Sequence, residues 1–342
     1  MNGFAAINFF SQAGDHLLRT LILLSGFAGL LSLYSFCRRK PAWPSASGGL
    51  LLIINLLLIS GFILICWFHC RIYLDLPLEL PAPMADWLNH QLEIMNKRSA
   101  YTLPLYDAGS PPRYRIPLWI ENEKYYFWFM IYGIMALFTY RRLENHRLRA
   151  VLQLFLTLKI IILFFFANPF IEPLKRFFLE IRPWFSPDTA PMQRLGIFMK
   201  LYPKMNFYYN AAYMWLHPPL LFISYAGITL TFIASCFMLI KQDFDVEKMA
   251  YDYAKLSYFM LTLGMLLGYP WALQAWGPNW WWDPKICSSI MMWVVFSTYL
   301  HTRLYTHRRG MWYFSAILGI ICFVAMLFTF ATSFFFPGEH TF

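Results

Sequence analysis

Long apolar runs, separated by short polar stretches, dominate the chain. Several of them reach or approach the roughly 20 residues that a helix needs to cross about 30 Å of hydrocarbon. None shows the alternation over roughly ten residues that marks a membrane barrel strand, so helices are the predicted spanning elements. The predicted spans cover residues 17–36, 48–70, 125–140, 151–170, 214–240, 256–275, 285–304 and 311–332.

This pattern predicts an all-α integral membrane protein, a bundle of about eight transmembrane helices in a single membrane domain over residues 1–342. The first run is followed rather than preceded by basic residues and lacks a small-residue cleavage site, so we expect a span and not a signal peptide. The composition agrees, because 13% of the residues are charged, against roughly 25% in an ordinary soluble domain.

Clusters of basic residues predict the orientation of the bundle. The connections at 37–40, 141–149 and 303–309 are short and densely basic, which indicates the cytoplasmic side. Long loops translocate largely regardless of charge, so the segments 71–124 and 171–213, and both termini, are predicted to be extracytoplasmic. These clusters also account for the net charge of +10, so the expected surroundings are a lipid bilayer and no nucleic acid.

The two long external segments differ in character. The loop at 71–124 contains a stretch rich in proline and tyrosine, Pro81 to Pro117, which is typical of an external lobe or docking loop. The segment at 171–213 begins with an amphipathic helix. Its apolar face consists of Leu174, Phe177, Phe178 and Ile181. Two interpretations stay open for this helix: it lies in the interface of the outer leaflet, or it covers the spans.

An external tryptophan-rich segment, residues 268–284, connects the sixth and seventh spans. Its four clustered tryptophans are Trp276, Trp280, Trp281 and Trp282. Tryptophan also anchors helices at membrane interfaces, but this density fits a flat apolar ligand better, because indoles offer large rigid faces to a porphyrin. Asp283 and Pro284 favour the cap and first residue of the next helix. Asp283 is in addition a candidate for direct contact with the ligand or its metal.

Two histidines are predicted at the outer mouth of the bundle. His217 precedes Pro218 and Pro219 at the start of the fifth span, where proline disfavours helical geometry in the residue before it. His340 follows the eighth span. Imidazole is a good ligand for haem iron, and these two could bind one iron from opposite sides. The alternative for either is an interfacial residue bonded to water or lipid.

His301 is predicted at the other edge of the bilayer. It follows Asp283 by 18 residues, about 27 Å along a helix. It is either an axial ligand of a second haem, of b type, or a member of the basic cytoplasmic end. If His301 ligates a haem, His69 lies too close to the outer end of its span to reach the same iron. The opposite ligand would then come from another chain or, less plausibly, from His146.

Two further features are functional candidates with ordinary alternatives. Lys159 lies deep in the fourth span, where a charge is costly, unless it snorkels or the span boundary is shifted. Cys66, His69 and Cys70 share one helical face, which would suit a soft metal, although buried cysteine is common without any metal.

The stretch from Gly268 to Arg303 resembles the haem-handling cytochrome c biogenesis proteins of the CcsA, CcmF and CcmC group, whose hallmark is a tryptophan-rich WWD segment. The string W-G-x-x-W-x-W-D-P-K, followed by Y-L-H-T-R, is similar to CcsA. Upstream, Asn168-Pro169-Phe170 and His217-Pro218-Pro219-Leu220-Leu221 are similar to the N-terminal half of CcmF.

This resemblance implies a function and a ligand set. His217 and His340 would ligate an external haem b, and His301 a transmembrane haem b. A second membrane subunit, like CcsB or the C-terminal half of CcmF, would supply the missing ligand. The chain would be part of a holocytochrome c synthase, or haem lyase, that presents haem to CxxCH motifs of apocytochrome c at the extracytoplasmic face of a bacterial-type inner membrane. Positioning would do most of the rate work, so no catalytic residue is predicted.

Two other functions compete with this one. A haem transporter could use a slot beside Pro270, which interrupts the sixth span, although a packing kink explains the proline equally well. A b-haem electron-transfer subunit of a respiratory complex would pair histidines between helices within the bilayer. Most histidines here are predicted at the edges of the spans, which weighs against both alternatives.

Overall fold

A computed structural model of the protein describes residues 3–38, 44–75, 79–80, 82–98, 102–185, 189–204, 212–278 and 280–338. This part of the chain is α-helical and contains no β-strand, which confirms the predicted all-α class. Its α-helices are α1 (Gly3–Arg38), α2 (Pro44–Asp75), α3 (Ala82–Asn96), α4 (Glu123–Arg142), α5 (His146–Phe165), α6 (Lys175–Phe185), α7 (Pro191–Lys204), α8 (Tyr213–Ile240), α9 (Phe244–Trp276), α10 (Pro284–Thr302) and α11 (Arg309–Phe335).

Every predicted span corresponds to one helix of the bundle: α1, α2, α4, α5, α8, α9, α10 or α11. Among the described residues, six helices are long and apolar enough to cross a membrane: α1, α2, α5, α8, α9 and α11. The other two helices that correspond to predicted spans, α4 and α10, have a lower mean hydropathy, because polar residues such as Lys124 and Lys285 lie at their ends. The protein is therefore a multi-pass membrane protein, while the number of eight spans and the side of each terminus stay predictions.

Two helices begin earlier than predicted because polar residues cap them upstream of the apolar run. Asn145 accepts a hydrogen bond from the backbone N–H of Leu148 at 3.1 Å, so α5 starts within the basic cluster. Asp243 accepts from Asp245 and Val246 at the start of α9. The first helix, α1, extends back to Gly3. Hydrophobicity alone locates the lipid-facing part of a helix and not its polar extension.

The central helix of the bundle is α8, which packs against α4, α5, α9 and α11, while α1 packs against α2 and α5. Small residues permit the close approach of α8 and α9. A Cβ on Gly227 would lie too close to Ser257 Oγ, so a larger residue there would force the Ser257 side chain or the helices to move. Such contacts are a common basis for helix association in membranes, where lipid removes the hydrophobic drive between helices.

The helix ends form two groups at opposite ends of the bundle. At the first, Phe36, Asn145 and Asp243 line one cavity, and Arg303 pairs with Glu247. At the second, the indole N–H of Trp119 donates to the carbonyl of Met214 at 2.7 Å. We call the first group the basic end (residues 36–38, 141–149, 240–247 and 302–309). The second is the tryptophan end (residues 118–124, 212–217, 268–278, 280–285 and 336–338).

The described part of the predicted external loop at 71–124 contains the helix α3 and an extended chain that returns along it. Its helix α3 carries Asn89 and Asn96, which lie two turns apart on one face. Each asparagine side chain accepts from and donates to one backbone residue of the returning chain, Tyr106 and Leu103 respectively, at 2.7 to 2.9 Å. The amides thus pair with the extended chain as a neighbouring strand would.

The amphipathic helix α6 covers other parts of the protein. The ring of Phe177 packs edge-on against Tyr114, with centroids 4.6 Å apart, and Phe178 lies 6.4 Å from Phe68 of α2. Leu174 and Ile181 of the same face are buried. These contacts support the second of the two interpretations, an amphipathic cover, because the apolar face already has protein partners.

Glu121 ties α6 to the start of α4. Its carboxylate accepts from the backbone N–H groups of Arg176 and Phe177, at 3.1 and 3.4 Å. These N–H groups belong to the first turn of α6 and lack partners within the helix. Burial raises the pKa of Glu121, and the N–H donors oppose that shift.

Candidate functional site

A cavity of about 340 Å³ opens at the tryptophan end, between α8, α9 and the start of α10. Its walls are mostly apolar and aromatic. The residues that give it chemical character are His217, Tyr225, Tyr269, Trp280, Trp281 and Lys285. Three of the predicted site residues therefore meet at one cavity although they come from separate elements: His217, Trp280 and Trp281.

The prediction that His217 lies outside helical geometry is wrong. Helix α8 begins at Tyr213 and continues through the two prolines. Pro218 has no N–H to donate to the carbonyl of Met214, four residues earlier. The indole N–H of Trp119 donates to that carbonyl instead. A tertiary hydrogen bond thus replaces the one that proline removes, and the helix keeps His217 in its second turn.

The His217 ring is held between α8 and α9. Its Nδ1 lies 2.5 Å from the carbonyl oxygen of Gly264, which can only accept, so Nδ1 carries the proton and Nε2 carries the lone pair. The ring also lies against Gly268, where a Cβ would come within 2.7 Å of Cε1 and Nδ1. A histidine oriented through its second nitrogen in this way has the arrangement of a typical metal ligand.

Of the clustered tryptophans whose side chains are described, Trp280 and Trp281 form a stacked pair and Trp282 lies apart from them. Trp280 and Trp281 stack with centroids 4.3 Å apart and planes inclined by 21°, and Tyr269 meets both rings edge-on. Trp280 is buried, and its indole N–H has no acceptor among the described residues. Trp282 is 84% exposed and is not part of the cavity wall.

Asp283 caps α10, as predicted from its position before Pro284. Its carboxylate accepts from the backbone N–H groups of Lys285 and Ile286, at 3.0 and 3.3 Å. The chain beyond α11 returns to this point, because a Cβ on Gly338 would lie 2.6 Å from Asp283 Oδ2. His340, two residues further on, lies outside the described residues.

Lys285 is a site residue that reasoning from sequence did not single out. It lines the cavity, and its ammonium repels that of Lys124 from the start of α4. Lys285 also lies in the first turn of α10, where the helix dipole adds positive potential. Lys124, Lys285 and the helix dipole together favour an anion at the cavity mouth, in addition to the Asp283 carboxylate, which already stabilises the charge of Lys285. The sequence feature that could have identified Lys285 is its position directly after the Asp-Pro pair that begins an apolar helix.

The remaining predicted site residues do not join this cavity in the described structure. His301 lies in the last turn of α10, at the basic end, and is exposed. Its Nδ1 bonds to the carbonyl of Ser297 in its own helix, at 2.8 Å. Trp276 ends α9, and its side chain lies outside the described part of the molecule.

Lys159 has a structural explanation. It is buried, with its Nζ 4.3 Å from the ring centroid of Trp128, 4.7 Å from Phe129 and 5.0 Å from Tyr132. Aromatic faces stabilise a desolvated cation. The side chain therefore does not snorkel to the surface, and it does not line the cavity at the tryptophan end.

The fold and the site together define a class: a multi-pass helical membrane protein that carries, at one end of its bundle, an aromatic cavity with an oriented imidazole and a lysine. Residues 119–339 match the family described as cytochrome C assembly protein. This match covers more than half of the chain, and the chain belongs to that family. The resemblance to CcsA and CcmF proteins is confirmed.

Individual relatives match over shorter stretches. The cytochrome c biogenesis protein CcsA of Cyanidium caldarium is 40% identical over 83 residues, 23% of this chain and 28% of the relative. The cytochrome c-type biogenesis protein NrfE of Haemophilus influenzae is 30% identical over 112 residues, 31% of this chain and 18% of the relative. These alignments cover less than a third of either relative.

A solved structure of the cytochrome c heme lyase CcmF has a similar fold. Its TM-score is 0.56 at 16% sequence identity, and the superposition covers 97% of this chain and 50% of the CcmF chain. Nearly all of this chain therefore corresponds to half of that protein.

Proposed function

We propose that this protein binds haem b in the cavity at the tryptophan end and presents it to apocytochrome c, as part of a holocytochrome c synthase. The observation that carries the proposal is the convergence of His217, Trp280 and Trp281 on one cavity. The match to the cytochrome c assembly family supports haem as the ligand.

The residues of the cavity fit an iron porphyrin. Nε2 of His217 offers a lone pair to iron, and the stacked indoles offer flat apolar surface. Haem also carries two carboxylates that need donors. Lys285 and the indole N–H of Trp280, which is buried without an acceptor among the described residues, are suited to that task.

Attachment then requires positioning more than acid–base chemistry. In the proposed complex, His217 and His340 would hold the iron of the haem substrate. Each thiol of a CxxCH motif adds across one vinyl double bond, so that a carbon–sulfur bond forms, the thiol proton moves to the neighbouring carbon and nothing leaves. The histidine of the motif would replace His217 or His340 at the iron, and the product would then be released.

The proposal includes a partner subunit and a location. His301 is exposed at the far end of α10, about 27 Å from the first cavity by helix length. We assign it to a second haem b whose opposite ligand comes from a CcsB-like or CcmF C-terminal-like subunit. The tryptophan end then faces the extracytoplasmic side of a bacterial-type inner membrane, because the short basic loops at the opposite end are typical of the cytoplasmic side.

The test is haem content of the purified protein, measured as a pyridine haemochrome, for wild type, His217→Ala and His90→Ala. His90 is an exposed histidine of α3 and provides the matched control. We expect His217→Ala to lose the haem bound at the tryptophan end and His90→Ala to keep it. Folded, haem-supplied wild-type protein without a Soret band would refute haem binding, and full haem content in His217→Ala would reassign the ligand.

A further inference from the structure

A second cavity, of about 410 Å³, lies on the other side of the start of α8. It is formed by the outer part of α2, the extended chain at 114–118 and Trp215. It shares no lining residue with the cavity at His217. The residues with chemical functions in its wall are Cys66, His69, Cys70, Tyr73, Arg115 and Trp215.

His69 is the buried polar group of this cavity. Its side chain is 6% exposed, and Nδ1 lies 2.8 Å from the carbonyl oxygen of Ile116. The carbonyl can only accept, so Nδ1 carries the proton and Nε2 carries the lone pair. Nε2 is buried and has no partner among the described residues. A buried acceptor nitrogen without a donor is costly, so a donor or a metal atom placed at Nε2 would stabilise this site.

The ligand class follows from what surrounds His69. Within the described residues, no three His, Cys, Asp or Glu side chains are placed to hold a metal ion. A bare metal ion is therefore disfavoured in spite of the two neighbouring thiols. An iron porphyrin brings four equatorial nitrogens of its own and needs only an axial one from the protein.

The rest of the wall suits a porphyrin as well. Trp215 and Tyr73 provide aromatic surface, and the exposed Arg115, whose guanidinium lies 5.8 Å from the Tyr73 ring, can pair with a carboxylate. Cys66 and Cys70 follow the helical spacing of His69, so they lie on the same side of the ligand as the imidazole. They cannot supply the opposite axial ligand.

We propose that this cavity binds a further iron porphyrin, five-coordinate through His69 Nε2, separately from the haems proposed at His217 and His301. The inference goes beyond the proposed function, because it concerns other residues and would stand if the His217 cavity held no haem. A single axial imidazole gives high-spin ferric iron, whereas a pair of imidazoles gives low-spin iron, so the two sites differ in their spectra.

The test is titration of the haem-free, full-length protein with ferric haem in lipid nanodiscs, followed by absorption and electron paramagnetic resonance. We expect a high-spin component that His69→Ala removes and His217→Ala keeps. Because a buried histidine also contributes to packing, His69→Gly with added imidazole is measured in parallel. Recovery of the high-spin signal with imidazole shows that the fold survived and that the ligand position is correct.

Arg115→Gln offers a milder variant on the exposed rim, and we expect it to weaken the high-spin site about tenfold. An unchanged high-spin component in both His69 variants would overturn the proposal. So would zinc or copper(I) binding to the haem-free protein that depends on His69, Cys66 and Cys70, since that result would make the cavity a metal-ion site.

Discussion

His217 and His301 lie at opposite ends of the bundle and are held in different ways. The Nδ1 of His217 bonds to the backbone of a neighbouring helix, and the ring faces a cavity within this chain. The Nδ1 of His301 bonds to its own helix, and the ring is exposed. An imidazole fixed by tertiary contacts can form a site within one chain. An exposed one on a helix surface needs a second molecule to complete its site.

The largest expected effect concerns His301, the histidine at the basic end. We expect the assembly with the partner subunit to bind one haem fewer when it carries His301→Ala. The haem content of the isolated chain should stay unchanged. The measurement is haem stoichiometry with and without the co-expressed subunit. His307→Ala, at another exposed histidine of the same end, is the control. Loss of haem from the isolated chain would contradict the assignment of His301 to a shared site.

A smaller effect would test how His217 is oriented. Gly268→Ala introduces a Cβ within 2.7 Å of the imidazole, so the ring must move from its present position. We expect haem affinity at the tryptophan end to fall about 10- to 100-fold, the range seen when the orienting contacts of a ligand are lost. The measurement is haem titration by Soret absorption.

The matched control for this substitution is Gly26→Ala. A Cβ at Gly26 of α1 would meet no atom within 4 Å, so the same change in a membrane helix should leave haem affinity as it is. Equal affinities for the two variants would mean that the position of the His217 ring does not matter for binding.

The smallest expected effect concerns Lys285. If its ammonium binds a haem carboxylate, Lys285→Gln lowers haem affinity about tenfold, the value of one charge-assisted hydrogen bond. The substitution should not change affinity for a haem with esterified carboxylates. Lys248→Gln, at an exposed lysine of α9, is the control. An equal loss for the esterified ligand would show that Lys285 acts on packing and not on the carboxylate.

Three of the six residues that give the cavity its chemical character could be predicted from the sequence. His217, Trp280 and Trp281 were identified because histidine and clustered tryptophan are unusual beside apolar runs. Lys285 was not, since a lysine at a helix end is ordinary until a second cation is found near it. The carbonyl of Gly264, which sets the tautomer of His217, carries no signal at all in the sequence.

Local patterns in the sequence by themselves determined the class of fold, the helix in each predicted span and the cap that Asp283 forms on α10. Run length and capping depend on neighbours along the chain, so they can be read without knowing the fold. The tertiary structure alone decided that Trp119 donates the hydrogen bond that Pro218 cannot donate, and that aromatic rings enclose Lys159. It also decided which face of α6 has protein partners, because each of these outcomes depends on groups that folding brings together from distant parts of the chain.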